Sequence, residues 1–374
     1  MRIIILVRIL WASGAQKIAI NEARELTNMG HEVKIVFLRE TESGRTLEKL
    51  LTGIDYEIFS DSGYRSKPIY SLVTGLFMPE KKGEGTLDYD LIRKFSGTVR
   101  KSDADYIICH DQWMGISGMR IKKREGIRYS VFLHEHTNGK YDVPIIGKFA
   151  EMVERNVLNN ADSLFGVTEK VSASFRKAYG LRVITDFPGM DLSSNLDFDS
   201  KENVLISSGT WSATRYPGIY INVLNHLEGF RLNVVGRWEG RNGLEMFKKE
   251  INNAGLSDKV SVKVNVPEGD LSNLYATSKF SLRSGGADEM GLGTSNIEAI
   301  SHLTPVLVDS VLGISDIISR EGGGIVLDKF DPKRVAEEII NNNNSENYKK
   351  LQEELRNITQ KYTWRRHAEK LIVA

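Results

Sequence analysis

The stretch RIIILVRILWASGAQKIAINEARELTNMGHEVKIVFL, from Arg2 to Leu38, changes its hydrophobic pattern twice. It begins with an apolar run rich in Ile and Val, which is typical of a parallel strand that is buried on both faces. Ser13-Gly14 interrupts the run, apolar residues then recur at helical spacing, and Gly30 supplies a helix stop. HEVKIVFL resumes as a strand, so the stretch predicts a βαβ unit with a glycine turn at the carboxyl end of its first strand.

The same alternation of strands and helices continues along the chain. In the first half, apolar runs predict strands at YIICHD (Tyr106 to Asp111), YSVFLHEH (Tyr129 to His136) and SLFGVT (Ser163 to Thr168). After the polar, aperiodic stretch FPGMDLSSNLDFDSKEN (Phe187 to Asn203), a second series follows, with strands at NVLISSG, RLNVVG, VSVKVNV, KFSLRS and TPVLVD. Strands separated by helices in this way form parallel sheets that carry helices on both faces.

Length and periodicity together predict two domains. A chain of 374 residues is too long for one ordinary core. We expect an α/β fold of two Rossmann-like, doubly wound domains at residues 1–192 and 193–358. An interdomain cleft is expected at the strand carboxyl ends, where such sheets bind ligands. Residues 359–374 are expected to form a C-terminal helix that packs back on the N-terminal domain.

The composition narrows the classes of function. The 50 basic and 49 acidic residues leave a net charge of +1, whereas nucleic-acid binders usually carry a basic excess. Cys109 is the only cysteine, which excludes an intramolecular disulfide and a thiolate zinc site and favours a cytoplasmic location. Arg8 interrupts the apolar start, which argues against a cleaved signal peptide. No segment reaches the ~20 apolar residues that span a bilayer, so any membrane contact is expected to be peripheral.

The loop DEMGLGTSNIEAI, from Asp288 to Ile300, places glycines and small polar residues ahead of a helix-like run. Free N–H groups and the dipole at such a helix start would suit a diphosphate. Thr294, Ser295 or Asn296 could cap the helix or hydrogen-bond a phosphate oxygen, and Glu298, in the first turn, could accept from a ribose diol. An ordinary capped helix whose glutamate favours the dipole fits these residues equally well.

Segments along nearly the whole chain match motifs that occur in the same order in one family. SGAQKIAINEARELTNMGHEVKIVF is similar to its Gly-Gly-Ala-Glu-Lys turn, helix and Gly-His-Glu-Val strand, and YIICHD and VFLHEHT to its two histidine-bearing strand ends. NVLISSGTWSATRYPG resembles its Gly-Arg-Leu-x-x-x-Lys-Gly segment, and MGLGTSNIEAISHLTPVLV its donor motif Glu-Gly-Phe-Gly-x-x-x-x-Glu-Ala-Met-Ala. YTWRRHAEKL resembles its terminal Tyr/Phe-x-Trp helix. The chain thus resembles the GT-B glycosyltransferases, and among them the retaining enzymes of glycosyltransferase family 4 (group 1).

The resemblance implies a set of site residues. The second glutamate of the donor motif falls on Glu298, expected to bind the donor ribose. The first acid of that motif is nearest to Glu289, expected to hold sugar hydroxyls, with Asp288 as the other candidate. The lysine of the diphosphate clamp falls on Arg215, whose guanidinium fork suits phosphate. The other expected donor-binding residues lie in glycine turns and at the helix start, namely Gly14, Gly209, Gly293, Thr294, Ser295, Asn296 and Ile297.

The resemblance also implies a catalytic histidine at His136, beside the reacting carbon of the sugar. In an extended strand His134 and His136 would point to one side, and with His110 they could form a three-histidine metal site. Asp111 and Glu135 lack the spacing of metal ligands, so no metal is expected. A purely structural role for His136 is the plain alternative.

The chain departs from the family at three motif positions. Met290 occupies the slot of the first donor-motif acid, so the loop would need a bulge to present Glu289 in its place. Thr210 replaces the first clamp cation, for which Arg237 could substitute. Pro188 replaces the asparagine before the linker glycine. These departures leave the sugar, and activity itself, open.

The expected function is retaining transfer of a hexosyl group from a UDP- or GDP-linked sugar to a glycan or lipid-linked acceptor, without metal or other cofactor. The aromatic and basic residues between Ser60 and Lys82 suit a lipid-linked acceptor near an anionic surface, although a solvated loop has the same composition. Two other classes share the architecture: a nucleotide-sugar epimerase, and a non-catalytic nucleotide-sugar-binding subunit, which Met290 and Thr210 favour. A dinucleotide oxidoreductase is disfavoured because neither glycine turn reads Gly-x-Gly-x-x-Gly.

Overall fold

The computed structural model describes residues 1–11, 13–41, 44, 47–60, 88–135, 144–239, 242–285 and 290–373. The chain divides into two compact units. The first unit combines Met1–Pro188 with Trp364–Ala374, and the second unit is Gly189–Thr363. The chain therefore leaves the first unit after Pro188 and returns to it with its last residues.

A parallel sheet forms the centre of the first unit. Its strands, within the described ranges, are β1 (Arg2–Leu10), β2 (Glu32–Glu40), β3 (Asp55–Ile58), β4 (Tyr106–His110), β5 (Arg128–Leu133), β6 (Ser163–Gly166) and β7 (Ile184–Thr185). The strand order across the sheet is β3-β2-β1-β4-β5-β6-β7. The helices between these strands are α1 (Gly14–Asn28), α2 (Tyr89–Thr98), α3 (Gly115–Glu125), α4 (Pro144–Asn160) and α5 (Glu169–Tyr179).

The apolar run of β1 explains its central position. Ile3, Ile5 and Leu6 are completely or almost completely buried, although neighbouring residues of a strand point to opposite faces. Only a strand covered by helices on both faces can bury them all, at about 1.5–3 kcal/mol for each large side chain. One cover is α1, whose apolar residues Ile18, Ala19, Ile20, Ala23 and Leu26 are also buried.

The second unit repeats this plan. Its strands are β8 (Glu202–Trp211), β9 (Arg231–Trp238), β10 (Val260–Val264), β11 (Ser278–Arg283), β12 (Val306–Asp309) and β13 (Gly324–Leu327). Their order is β10-β9-β8-β11-β12-β13, and every pair is parallel. Its helices are α6 (Gly218–Leu224), α7 (Gly243–Asn253), α8 (Glu268–Thr277), α9 (Thr294–Ser301), α10 (Ser315–Glu321), α11 (Pro332–Asn342) and α12 (Ser345–Lys361). Large aromatic side chains fill its core, among them Trp211, Tyr220, Phe247, Phe280 and Tyr348.

The last helix, α13 (Trp364–Val373), belongs to the first unit and packs against α1. Its buried face consists of His367, Ala368 and Leu371. A histidine on this face is unusual, and it proves to be part of the candidate site described below.

Two parallel, doubly wound sheets are present, as the periodicity predicts. Several strands are shorter than predicted. Among them, β5 ends at Leu133, where its pairing with Gly166 of β6 also ends, so His134 lies beyond the strand. Along the described ranges, we find no helix with the length and apolar character that crossing a bilayer demands.

Candidate functional site

The carboxyl ends of β8 and β11 lie side by side in the second unit, because these strands are neighbours in the sheet. The chain winds outward from β8 through β9 in one direction and from β11 through β12 in the other. Doubly wound sheets bind ligands outside the strand carboxyl ends at the point where the winding reverses. The candidate site of this unit therefore comprises the ends of β8 and β11 and the start of α9, which packs on both strands.

Two glycines keep the end of β8 open. Gly209 of β8 lies opposite Gly236 of β9, whose φ of 139° disfavours any side chain. A Cβ atom at Gly236 would overlap the Gly209 carbonyl oxygen, and one at Gly209 would lie 2.7 Å from Nη1 of Arg283. The glycine predicted at position 209 therefore makes room for an arginine side chain.

Arg283 was not singled out from the sequence. It is the last residue of β11 and is only 8% exposed. Its guanidinium carbon lies 5.9 Å from the centre of the Trp211 ring, and its Nη1 lies 3.5 Å from the Ser208 carbonyl oxygen. A permanently charged group held at a switch point suits an anionic ligand. The available signal was an arginine at the end of the apolar run KFSLRS.

Arg215 and Arg237 add positive charge near the end of β8. Arg215 is exposed and follows the strand in a turn, where its backbone N–H donates to the Ser212 carbonyl oxygen at 3.2 Å. Thr210 lies in register with Arg237 on β9. The positive charge that position 210 lacks is thus present one strand away. Glu239 neutralises part of it, since its Oε1 lies 3.2 Å from Nη2 of Arg237.

The helix α9 begins earlier than predicted. Gly293, with a φ of 67°, is its N-cap, so Thr294, Ser295 and Asn296 form its first turn and no side chain caps it. The predicted capping role of these three side chains is wrong, because the left-handed conformation of Gly293 already turns the chain into the helix. Glu298 lies in the second turn instead of the first, which holds no acidic residue.

The start of α9 retains free hydrogen-bonding capacity. The first N–H groups of a helix have no intrahelical acceptor, and here no side-chain oxygen takes their place. Asn296 is different, because its backbone N–H donates to the Gly293 carbonyl oxygen at 2.9 Å and its Nδ2 to the Leu292 carbonyl oxygen at 3.0 Å. Asn296 therefore holds the loop, and the amides before it can meet an anion.

Tyr275 connects Glu298 of α9 to β8. Its hydroxyl group hydrogen-bonds the Glu298 carboxylate and lies 2.5 Å from Oγ of Ser208. Burial raises the pKa of Tyr275 well above its usual range, and the Glu298 charge raises it further. The hydroxyl group therefore stays protonated and donates to the carboxylate, which fixes the position of Glu298.

The first unit has a switch point between β1 and β4. Gly14 starts α1 directly after β1, and His110 ends β4 beside it in the sheet. The turn before Gly14 is held in place, since the Ser13 hydroxyl bonds Gln16 and the buried Gln16 amide donates to the Ile9 carbonyl oxygen at 2.8 Å. The predicted glycine turn therefore lies at the ligand-binding edge of this sheet.

A row of buried charged groups crosses the same unit. Its central carboxylate is Glu22 of α1, whose Oε1 lies 2.8 Å from Nε2 of His367 on α13. Nδ1 of His367 lies 2.7 Å from Oδ2 of Asp186, and Lys370 Nζ donates to the other oxygen of that carboxylate at 2.6 Å. The end of the chain is thus joined to α1 and to the residue after β7.

The row continues from Glu22 to the edge of the sheet. Glu22 Oε2 lies 2.7 Å from Nε2 of His110, and Nδ1 of His110 lies 2.9 Å from Nε2 of His134. We call this row the buried proton chain. It runs from the exposed Lys370 through the buried Asp186, His367, Glu22 and His110 to the partly buried His134. Phe132 packs against all three of its rings, at 5.4 Å from His367, 5.7 Å from His110 and 5.1 Å from His134 between centres.

The pKa values in the buried proton chain follow from burial and pairing. Burial lowers the pKa of His367, but hydrogen bonds to Asp186 and Glu22 outweigh it and raise that pKa to about 9. Burial opposes ionisation of Glu22, but His110 and His367 outweigh it and lower its pKa to about 2. Burial and the neighbouring His110 lower the pKa of His134 to about 3. His367 is therefore an imidazolium at neutral pH, and His134 is neutral.

Several predicted features lie outside the described residues. These are His136, Glu289, Asp288 and the predicted acceptor segment after Ser60. Among the residues that the structure describes, no group of three His, Cys, Asp or Glu side chains is arranged to hold a metal ion. Both ring nitrogens of His110 are already engaged in hydrogen bonds, which leaves that ring no lone pair for a metal.

Two family models match the sequence. "Glycosyl transferase 4-like domain" matches residues 13–184, and "Glycosyl transferases group 1" matches residues 191–362. The first match lies within the first unit and the second within the second unit. Among curated proteins, none matches the sequence.

Solved structures of the same fold align with almost the whole chain. HepE of Anabaena, solved in complex with UDP, has a TM-score of 0.75 at 14% identity, covering 99% of this chain and 98% of HepE. Sucrose-phosphate synthase of Thermosynechococcus elongatus has a TM-score of 0.72 at 14% identity, covering 99% and 97%. WaaG, a glycosyltransferase involved in lipopolysaccharide biosynthesis, has a TM-score of 0.69 at 16% identity, covering 98% of both chains. At such low identity the likeness shows the fold alone, and it confirms the predicted pair of Rossmann-like α/β domains.

Proposed function

The chain belongs to the group 1 glycosyltransferases of GT-B fold, and on that basis we propose that it moves a hexosyl group from a nucleotide-diphosphate sugar to a glycan or lipid-linked acceptor, with retention at the anomeric carbon. One observation carries the proposal: Gly209, Arg283 and the uncapped start of α9 meet at the switch point of the second sheet. HepE, which has the same fold, was solved with UDP-glucose, and this supports a nucleotide sugar as the donor here.

The diphosphate of the donor would bind at the start of α9. Free amides and the helix dipole favour an anion there, and the first turn holds no acidic residue to compete. The buried guanidinium of Arg283 and the exposed one of Arg215 would supply the positive charge. Of the residues predicted to contact the donor, Gly293, Thr294 and Ser295 are best suited to bind the diphosphate, through their backbone N–H groups. Ile297 follows them in the same helix and is expected nearby.

The ribose of the donor would bind Glu298. A carboxylate has about four acceptor positions, and Tyr275 occupies one of them. The carboxylate can therefore accept two further hydrogen bonds from a ribose diol while the tyrosine holds it in place. Its partial burial strengthens these bonds, since water competes less for the charge.

The difficult step of the proposed reaction is departure of the nucleotide diphosphate while positive charge grows on the sugar ring. Preorganised amides and cations would stabilise the developing phosphate charge, and losing one such donor typically costs about 10²–10³ in rate. These groups would do the work of a metal, so we propose a reaction without metal or other cofactor. Glu289 would hold sugar hydroxyls, and His136 would lie beside the reacting carbon. A donor phosphate oxygen would take the acceptor proton on the face from which the nucleotide leaves.

A panel of labelled nucleotide sugars tests the proposal. Incubation of the full chain with UDP- and GDP-linked hexoses should release free nucleotide slowly from one of them, because a transferase without its acceptor loses sugar to water. An extract that contains the acceptor should accelerate release of the nucleotide. Comparing extracts that contain and lack lipid-linked glycans tells whether the acceptor is lipid-linked. A changed sugar on an intact nucleotide would identify an epimerase instead. Binding without any turnover would identify a non-catalytic subunit. Either of these two results would contradict the proposed transfer.

A further inference from the structure

The carboxyl-terminal end of α9 needs partners from outside the helix. The last four carbonyl groups of a helix have no partner within it, and in α9, which has only eight residues, the first of these four belongs to Glu298. A helix this short is not stable by itself, so neighbouring groups must hold its residues in place. The position of Glu298 therefore depends on what binds this end of the helix.

His302, the C-cap of α9, supplies two donors to the Glu298 carbonyl oxygen. Its backbone N–H lies 3.2 Å from that oxygen and is shared with the Ala299 carbonyl, and Nδ1 of its ring lies 2.7 Å away. A carbonyl oxygen only accepts, so Nδ1 of His302 carries a proton. Both a neutral ring and a doubly protonated ring can meet this requirement. The donor to Glu298 is therefore independent of the charge of His302.

Ser272 of α8 fixes the orientation of the His302 ring, since its Oγ lies 2.7 Å from Nε2. Burial lowers the pKa of His302, so the ring is neutral at neutral pH and Nε2 accepts from the serine hydroxyl group. His302 is only 5% exposed, and water competes little for either bond. The ring cannot turn without breaking both bonds.

The backbone of His302 is held as well. Its carbonyl oxygen accepts from Nζ of the buried Lys201 at 3.2 Å, and the same nitrogen donates to the Ala276 carbonyl oxygen near the end of α8 at 2.8 Å. The side chain of Lys201 thus ties the end of α9 to the end of α8.

The helix α8 also holds the carboxylate of Glu298. Ser272 and Tyr275 are three positions apart on α8 and lie on one face of it. The Tyr275 hydroxyl group donates to the Glu298 carboxylate, and the Tyr275 ring stacks on that of His302, at 6.1 Å between centres and 23° between planes. One face of α8 therefore fixes Glu298 twice, at its carboxylate through Tyr275 and at its backbone through His302.

We propose that His302, oriented by Ser272, is a positioning residue that fixes the turn of α9 from which Glu298 reaches the ribose of the nucleotide. His302 acts through Glu298 and needs no contact with the ligand. The proposal rests on the proposed function, because it takes the ribose diol as the ligand of Glu298.

Binding of deoxynucleotides measures the position of the Glu298 carboxylate. Isothermal titration calorimetry of the full chain compares UDP with 2′-deoxy-UDP and 3′-deoxy-UDP, and GDP with its two deoxy forms. The wild type should bind at least one deoxy form about 10–100-fold more weakly than the parent nucleotide, because a hydrogen bond to a charged group is lost. We call this ratio of affinities the ribose discrimination.

Two substitutions of His302 separate its hydrogen bond from its packing. His302→Phe keeps a ring that can stack on Tyr275 but has no donor, and the ribose discrimination should fall below about threefold. His302→Asn loses the ring but places an amide N–H near the position of Nδ1, and it should retain most of the discrimination. Wild-type discrimination in His302→Phe would overturn the proposal.

Tyr348→Phe is the matched control. It removes another buried hydrogen bond of the second unit, from the Tyr348 hydroxyl group to the Lys279 carbonyl oxygen at 2.6 Å, outside α8 and α9. It should lower the stability of the protein and leave the ribose discrimination unchanged. If His302→Phe does not fold, Ser272→Ala frees the ring to turn and should also reduce the discrimination. Wild-type discrimination in Ser272→Ala would then overturn the proposal.

Failure of the proposed function appears in the wild type instead. A wild type that binds neither UDP nor GDP, or that binds the deoxy forms as tightly as the parent nucleotides, would refute the proposed donor site and the role of His302 with it. A wild type that discriminates, together with an equally discriminating His302→Phe, would refute the positioning role alone.

Discussion

Gly209 shows how one missing side chain can determine a ligand site. Because Gly209 carries only a hydrogen atom as its side chain, the guanidinium of Arg283 fits beside it. Nη1 of Arg283 lies 2.7 Å from the position that a Cβ atom at residue 209 would take. We expect Gly209→Ala to displace Arg283 and to weaken UDP or GDP binding by about tenfold, or about 1.4 kcal/mol. Isothermal titration calorimetry measures this. Gly269→Ala in α8 is the control, since a Cβ atom there meets nothing within 4 Å, and it should bind normally.

Glu298 is the residue on which recognition of the nucleotide is expected to depend. The Tyr275 hydroxyl orients its carboxylate, and a neutral amide would accept fewer and weaker bonds from a ribose diol. We expect Glu298→Gln to weaken nucleotide binding by about tenfold. Glu245→Gln on α7, a highly exposed carboxylate of the same unit, should have no effect. An unchanged affinity for Glu298→Gln would place the ribose elsewhere.

At the scale of single residues, Gly209 and Gly293 could be singled out from the sequence, whereas Arg283 and Glu22 were not. Gly209 ends the apolar run NVLISSG, and Gly293 lies in a glycine-rich loop ahead of a helix-like run. Glu22 was missed although a signal existed: it lies four residues after Ile18 and four before Leu26, on the buried face of α1. Its partner His367 is 345 positions away, so no local pattern could reveal the pair. Such contacts depend on the assembled fold.

At the scale of elements, α13 is held to the first unit by charge as well as by apolar packing. The pKa of His367 is raised to about 9, compared with an ordinary value of 6.5, so its stabilising contribution is complete below pH 6.5 and is lost as the pH rises through 9. The wild type should therefore have a larger free energy of unfolding than His367→Gln. This difference should be up to about 3 kcal/mol larger at pH 6 than at pH 10. Urea unfolding at several pH values measures this difference.

His226→Gln is the control for this experiment, because His226 is exposed in the second unit. Its difference from the wild type should be small and independent of pH. If the difference for His367→Gln were equally constant across this range, His367 would not be ionised in the folded protein. Glu22 would then carry an uncompensated charge.

The longer elements were predictable from periodicity, and the short ones were not. Helices such as α1 and strands such as β1 carry enough buried apolar residues to show their period. The strands β3 (DYEI) and β7 (IT) lie at the edges of the sheet and have few or no fully buried residues, so they leave little signal. The start of α9 was misplaced because Gly293, as its N-cap, carries no side chain whose chemistry marks a cap.

At the scale of the whole molecule, nucleotide binding should protect the backbone amides of one region from hydrogen exchange more than those of any other region. Hydrogen exchange with UDP and, separately, with GDP should slow the amides around the end of β8, Arg283 and the first turn of α9. At a ligand concentration of about 100 times Kd, binding adds about 2.7 kcal/mol of stability. The nucleotide that protects more strongly identifies the base. Equal exchange in this region with and without either nucleotide would contradict the proposed donor site.

The proposed reaction uses protein charges where other transferases use a metal ion. We expect transfer by the purified protein to be unaffected by EDTA and unaffected by added Mg²⁺ or Mn²⁺, within about twofold. A pyrophosphate held by Arg283, Arg215 and helix amides is already neutralised, so a cation adds little. Loss of activity in EDTA that Mn²⁺ restores would show that these groups are insufficient.

The return of the last helix to the first unit has a consequence for synthesis of the protein. Glu22 and its partner His367 are 345 positions apart, and the whole second unit is synthesised between them. Until then, burial of the Glu22 carboxylate would be opposed by its cost of dehydration. Closure of the first unit is thus postponed until the second unit has been synthesised. A nonsense codon just before Trp364 would prevent it, even though every residue expected to contact the nucleotide would already be present.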